Sequence, residues 1–172
     1  MTSRQRLRRM AFLCSHALAN FASYRAGFEG KALLRDEAFW RRLNGNFLDI
    51  GVLEWCKLFV ENRGAYSWKN ALADPATFQA ALFGHLELSE ARWVAYCKGI
   101  RHYRDKYVAH LDEVLNGKYP QLDMALKSTK FLYAYLLEHE DQGDYFVGLP
   151  VNPEAAYRVT MSDAKKRYRN AT

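Results

Sequence analysis

Apolar side chains recur every three or four residues along nearly the whole chain, and this spacing constrains the fold more than any other feature. Four long stretches carry it, over residues 3–27, 46–61, 89–116 and 121–139. Residues at this spacing share one face of an α-helix, so each stretch predicts an amphipathic helix with one buried side. Alternating strand patterns are scarce, and only 145–151 is predicted to form a short extended segment. The sequence therefore predicts an all-α fold.

Helix start and stop signals place shorter elements between these four helices. Ser3 and Ser89 are expected N-caps, and a proline at the first turn opens helices at 74–75 and 152–153. Asn44–Gly45 is expected to end a short helix over 36–43, because these residues favour helix C-termini. Four long helices with modest connections predict an antiparallel four-helix bundle with additional short helices. The chain fits one domain, 1–172, and we expect the last helix to fray into a basic tail from about residue 158.

The apolar rows of these helices make up the expected core. The row of the second long helix is Ile50, Leu53, Cys56 or Lys57, and Val60. The row of the fourth is Leu122, Ala125, Leu126, Thr129, Leu132 and Leu136. The four tryptophans fall in or near such rows, so we expect them to pack in the core rather than to stack on bases.

Cysteine and histidine spacing gives no indication of a metal site, and we expect neither a metal nor a cofactor. The three cysteines are scattered, without a CxxC pair or a neighbouring histidine, which is typical of small buried side chains in a reducing compartment. No run reaches the roughly 18 apolar residues of a membrane-spanning helix. Polar residues at 15, 16 and 20 interrupt the one region that resembles a leader peptide. The expected location is cytoplasmic, without membrane association.

The net charge of +6 is concentrated at the two ends of the chain. Four arginines lie within residues 1–10, and five Lys or Arg side chains face one acid within 155–172. If these ends meet, in one chain or across a dimer, they would form a patch that attracts phosphate. The alternative is two separate basic helix ends in solvent.

The densest run of charged and aromatic side chains lies in the third long helix, over residues 100–113. Residues three apart on a helix are neighbours, so this run forms one slowly winding ladder of Arg101, Arg104, Tyr107, His110 and Glu113. Arginine presents a planar fork to phosphate oxygens, and histidine can transfer a proton near neutral pH. Such a set could bind a phosphodiester and cleave RNA without a metal, using the 2′-hydroxyl as nucleophile.

Two features of this ladder qualify the interpretation. Asp105 lies four residues after Arg101 and can hold it by an ion pair, so the run could equally be a solvated, salt-bridged helix face. Arg104 and His110 also differ by roughly 120° around an ideal helix, at about 3.6 residues per turn. One helix does not bring them into a tight pocket, whereas two copies facing each other would.

The segment Arg104-Asp105-Lys106-Tyr107-Val108-Ala109-His110 resembles the signature of the HEPN superfamily, an arginine followed after four to six residues by a histidine. Its continuation over 109–112 is similar to the abortive-infection (AbiU-type) branch. A second segment agrees, with the Leu-Glu-Trp-x-x-Leu-Phe helix over 49–59 and the later tryptophan in 67–69. The resemblance covers roughly residues 46–137.

This resemblance implies a helical bundle that forms a homodimer, with the signature of each subunit facing a shared cleft. Members that are active are metal-independent ribonucleases, often toxins, with an antitoxin or another defence component as partner. Carried over, Arg104 would bind the scissile phosphate of RNA, His110 would be the general acid or base, and Asp105 would orient Arg104. Glu54 is a weaker supporting candidate, with a structural ion pair as its alternative role.

One departure from the family pattern bears on the partner. HEPN toxins paired with nucleotidyltransferase antitoxins carry a tyrosine two residues after the histidine, whereas this chain carries Asp112. The difference disfavours that partnership and places a negative charge near the expected phosphate. Many HEPN domains also lack catalysis, so the alternative function is a silent module that binds RNA, a nucleotide or a protein.

Overall fold

The structure, a computed structural model, describes residues 1–109, 119–141 and 143–170. Its helices are α1 (Ser3–Ala26), α2 (Ala38–Phe59), α3 (Trp68–Ala71), α4 (Pro75–Leu86), α5 (Glu90–Tyr103), α6 (Asp123–Tyr135) and α7 (Pro153–Asn170). Two π-helical turns, π1 (Arg104–Ala109) and π2 (Leu136–Glu140), continue α5 and α6. A small antiparallel hairpin pairs β1 (Phe28–Glu29) with β2 (Ala32–Leu33). The described part of the chain is mostly helical, which confirms the all-α class.

Helix α1 is the central element of the core. It packs most extensively against α2, then against α7 and α6, while α5 and π1 lie on α2. Gly51 permits the close approach of α1 and α2, because a Cβ atom there would lie 2.7 Å from the buried ring of Phe21. The element that carries the candidate site is therefore positioned by α2, which is in turn fixed by α1.

Several local predictions are confirmed. Asp74 caps α4 by accepting a hydrogen bond from the Thr77 amide at 3.0 Å, and Ser89 caps α5. In the fourth predicted helix, which corresponds to α6 and π2, all the predicted inward residues are buried: Leu122, Ala125, Leu126, Thr129, Leu132 and Leu136. Three of the tryptophans, Trp55, Trp68 and Trp93, are buried as expected. The first helix starts at Ser3, although its N-cap is Thr2, in a capping box with Gln5.

The predicted stop at Asn44–Gly45 is wrong, because α2 runs unbroken through both residues. Asn44 is buried, and its side-chain oxygen accepts a hydrogen bond from the Tyr168 hydroxyl at 2.9 Å. A tertiary partner thus satisfies the amide that would otherwise favour a helix end. The helix consequently buries Leu48, Gly51, Val52 and Trp55, whereas Ile50 of the predicted row is exposed.

The expected frayed tail from about residue 158 is helical through Asn170. Tyr168 is buried, and its carbonyl accepts a hydrogen bond from Arg35 at 2.9 Å, so the end of α7 is tied to the segment before α2. Residues 145–151 form turns rather than an extended strand.

The two basic ends do not meet within one chain. Arg4 pairs with Asp144 at 2.7 Å beside the start of α1, whereas Lys165 and Arg169 pair with Glu29, just beyond its end. A helix of 24 residues is about 36 Å long, so the length of α1 separates them. Within the described residues, no helix is long and apolar enough to cross a membrane.

Candidate functional site

The signature arginine lies in a cleft at the end of α2. The cleft has a volume of about 460 Å³ and is lined by Val60, Glu61, Asn62, Arg63, Gly64, Arg101 and Arg104. We call it the arginine cleft. Three guanidinium groups face one carboxylate there, so its lining carries an excess of positive charge.

Arg104 is held firmly by its neighbour in sequence. Its Nε and Nη2 atoms both lie 2.8 Å from Asp105 Oδ1, and its Nη1 lies 3.4 Å from Glu61 Oε1. The side chain of Arg104 is 20% exposed. Burial by itself would lower the pKa of Arg104, but the hydrogen bond to Asp105 and the nearby carboxylates raise it. The guanidinium is therefore oriented and remains cationic.

Arg101 has a different partner from the one that the spacing suggested. Its Nη2 donates to the Val60 carbonyl at 2.9 Å, and Asp105 pairs with Arg104 instead of Arg101. The Val60 carbonyl belongs to the C-terminal end of α2, where the helix dipole is negative. Arg101 offsets that partial charge, which makes the arginine cleft more favourable for an anion.

The helix changes its winding at the site. The expected single α-helix over 89–116 gives way to π1 at Arg104, where backbone hydrogen bonds span five residues instead of four. The ladder drawn for an ideal α-helix therefore does not hold within π1. π-Helical turns are rare, and they occur frequently at functional sites.

Tyr107 does not line the arginine cleft. Its ring lies 5.4 Å from that of Tyr103, whose hydroxyl donates to Asp49 Oδ1 at 2.8 Å. Burial raises the pKa of Asp49, against the lowering effect of this hydrogen bond. Tyr103 thus ties the end of α5 to α2, and Tyr107 of π1 packs on its ring, so Tyr107 has a structural environment.

The predicted acid–base residue His110 lies outside the described residues, as do Asp112 and Glu113. The structure thus brings Arg101, Arg104 and Asp105 together and leaves the position of the imidazole as a prediction.

Glu54 belongs to another cluster, between α1 and α2. Its Oε1 lies 3.5 Å from His16 Nδ1, and its buried Oε2 has no hydrogen-bond partner among the described residues. Burial raises the pKa of Glu54, while His16 and Lys57 act in the opposite direction. The contact with the His16 imidazole is in the place of the ion pair considered as its alternative role, and Glu54 does not line the arginine cleft.

Comparison with family models, with curated proteins and with solved structures gives no match.

Two residues of the cleft, Glu61 and Arg63, were not predicted. The apolar pattern of the second long helix ends at residue 61, and the turn that follows carries Arg63 to the site. Nothing in the spacing of residues 100–113 points to a segment some 40 residues earlier. Among residues 1–109, 119–141 and 143–170, no three His, Cys, Asp or Glu side chains could hold a metal ion together.

All three cysteines are free thiols; Cys14 and Cys56 are buried as expected, whereas Cys97 is half-buried. Burial raises the pKa of Cys56 to about 12 and that of Cys97 to about 11, so neither thiol is activated as a nucleophile.

Proposed function

We propose that this chain is a HEPN-like, metal-independent endoribonuclease that acts as a homodimer. In this proposal the helices form the antiparallel four-helix bundle expected for that superfamily, and the protein acts in the cytoplasm, as a toxin or defence component with a cognate partner. The observation that carries the proposal is the convergence of Arg63, Arg101 and Arg104 on one cleft, with Arg104 oriented by Asp105.

The charge of the cleft favours an RNA backbone as the ligand. Arginine binds phosphate oxygens through a rigid fork and cannot lose its charge at physiological pH. Asp105 engages Nε and Nη2 of Arg104, whereas the contact of Nη1 with Glu61 is long, at 3.4 Å. Glu61 is 45% exposed and can turn away into solvent, so Nη1 is the face of Arg104 that a phosphate would take.

The chemistry proposed for the site is a transesterification. A 2′-hydroxyl oxygen attacks the adjacent phosphorus, the bond from phosphorus to the 5′-oxygen breaks, and a 2′,3′-cyclic phosphate and a 5′-hydroxyl result. One imidazole accepts the proton of the 2′-hydroxyl and another donates a proton to the 5′-oxygen. In a symmetric dimer, His110 and His110 of the partner subunit would supply these two groups, and Arg104 would stabilise the charge on phosphorus.

The alternative is a silent HEPN-like module that binds RNA without cleaving it. It is favoured by the two carboxylates that already engage Arg104 within its own chain. If these pairs persist with RNA present, the guanidinium would contribute attraction but no direct contact with the scissile phosphate.

Incubation of the purified protein with RNA in EDTA distinguishes the enzyme from the silent module. The enzyme is expected to cleave under these conditions, and Arg104→Ala and His110→Ala are each expected to lower the rate at least about 100-fold, a typical contribution of acid–base or electrostatic catalysis. Circular dichroism checks that both variants fold.

Cleavage that persists unchanged in both variants would point to a contaminating nuclease and remove the enzyme proposal. Binding without cleavage would support the silent module.

A further inference from the structure

A second cavity opens directly beside the arginine cleft. It has a volume of about 210 Å³ and shares Val60, Asn62 and Arg101 with the cleft. We call it the side cavity. Since Arg101 lines both, a ligand bound in the cleft can extend past this side chain into the side cavity.

The walls of the side cavity are aromatic. Phe59, Trp68, Phe83 and Trp93 line it, with Phe59 and Phe83 at 5.7 and 6.1 Å from the ring of Trp93. Phe59, Trp68 and Trp93 are at most 5% exposed, so these walls are preformed, and the half-buried ring of Phe83 is the one that a ligand can stack on. A flat, aromatic ligand suits such walls, because base–aromatic stacking depends on a π-face and not on one particular base.

The mouth of the side cavity carries positive charge. Lys69, Lys98 and Arg101 line it against the single acid Glu90. The positive lining is thus continuous with that of the arginine cleft, which is the pattern of a groove that follows a nucleic-acid backbone.

A buried donor supplies an independent observation. The indole nitrogen of Trp68 is buried, and it has no hydrogen-bond partner among the described residues, although buried polar groups are nearly always paired. An indole N–H can only donate. The unpartnered donor thus belongs to a side chain of the cavity wall.

The size of the side cavity limits what it can hold. Sites for drug-sized ligands have volumes of about 300–1,000 Å³. A cavity of about 210 Å³ lies below that range and suits a single nucleobase, with its sugar and phosphates outside.

We propose that the side cavity binds one nucleobase of the RNA strand whose backbone lies in the arginine cleft. The inference rests on the proposed function only in taking RNA as the ligand of the arginine cleft. The base stacks on the half-buried ring of Phe83 inside the aromatic walls, while Lys69, Lys98 and Arg101 hold the adjoining phosphates.

The test compares two oligonucleotides of equal length and charge by fluorescence anisotropy at low salt. One is a 2′-O-methyl RNA, which lacks the nucleophilic hydroxyl, and the other is its abasic counterpart. Wild type is expected to bind the oligonucleotide with bases about tenfold or more tightly, within the range of base–aromatic stacking.

A matched pair of variants locates the effect. Val94 lines the cavity and is 44% exposed, so Val94→Trp obstructs the cavity from its rim without replacing a core residue. It is expected to abolish the preference for bases while affinity for the abasic strand stays the same. Ala95→Trp introduces the same side chain at the next exposed position, outside the cavity lining, and is expected to keep the preference.

If wild type binds both oligonucleotides equally, this inference is overturned and the proposed function stands. The same conclusion follows if a folded Val94→Trp variant keeps the preference for the oligonucleotide with bases. If the protein binds neither oligonucleotide, this inference and the proposed function are both overturned.

Discussion

Arg104 is bound by two carboxylates of its own chain, and they differ in what they do to it. Asp105 engages the side of the guanidinium that a phosphate would not need, at 2.8 Å, and so fixes its direction. Glu61 lies 3.4 Å from the remaining face and competes with any anion for it. Exposed ion pairs of this kind contribute at most about 1 kcal/mol, so a phosphate can replace Glu61 at little cost.

Neutralising Glu61 should therefore tighten RNA binding. Glu61→Gln removes the competing charge at nearly constant shape and is expected to lower the Kd for non-cleavable RNA about two- to fivefold, as expected for loss of one exposed pair. Glu138→Gln, an exposed acid that does not line the arginine cleft, is the control for the change in net charge. Weaker binding in Glu61→Gln than in that control would mean that Glu61 positions Arg104 and does not compete with RNA.

The burial of Glu54 leads to a prediction about the stability of the fold. Its buried Oε2 lacks a partner among the described residues and burial raises its pKa, so the folded protein binds this proton more tightly than the unfolded chain. Protonation thus favours folding, and wild-type stability is lost as the pH rises through the folded pKa.

Glu54→Gln removes the buried charge and should raise the free energy of unfolding at pH 7 by about 1 kcal/mol, the lower end for an unsatisfied buried group. The gain should shrink as the pH falls through the raised pKa of the Glu54 carboxyl group towards the ordinary pKa of a glutamate. Urea unfolding of wild type and Glu54→Gln at several pH values measures this difference in the free energy of unfolding. A loss of stability at pH 7 would show that the pair with His16 outweighs the cost of burial.

At the scale of elements, sequence patterns predict what a helix determines by itself and miss what a distant contact imposes. The buried row of α6 and the cap at Asp74 follow from local spacing and chemistry, and both are confirmed. The stop at Asn44–Gly45 fails because Tyr168, more than 120 residues later, satisfies Asn44. Spacing within one helix pairs Asp105 with Arg101, whereas the structure pairs it with Arg104, as the HEPN resemblance implied. The approach of Arg63 depends on how α2 ends against α5.

Two glycines of α2 give a matched test of its packing. Gly51→Ala would place a Cβ atom 2.7 Å from the Phe21 ring and should lower stability by about 1–2 kcal/mol, because overpacking outweighs the gain in helix propensity. Gly45→Ala meets no atom within 4 Å and should raise stability by about 0.5–1 kcal/mol. Thermal or urea unfolding compares them. Equal stabilisation by both would show that α1 and α2 do not approach closely at Gly51.

At the scale of the whole molecule, one chain supplies only part of the proposed machinery. The arginine cleft lies where α2 ends against α5, and its described lining contains no imidazole. The basic ends, which could have formed a second phosphate-binding patch, are held apart by the length of α1. A complete acid–base site therefore requires His110. In the proposed two-fold homodimer the same surface of each subunit faces the cleft, so each subunit contributes one His110.

Mixed dimers test that arrangement directly. Arg104→Ala and His110→Ala are co-expressed with different tags, and the heterodimer is isolated through both tags. It keeps one intact arginine and one intact imidazole, on opposite subunits. The control pairs wild type with the double variant and keeps one arginine and one imidazole on the same subunit. In a composite cleft both subunits line one site, so the two heterodimers should have similar activities, below that of wild type because one of the two imidazoles is missing. An inactive heterodimer of the two single variants beside an active control would place each Arg104 with its own His110, and a monomer in sedimentation at micromolar concentration would exclude the shared cleft altogether.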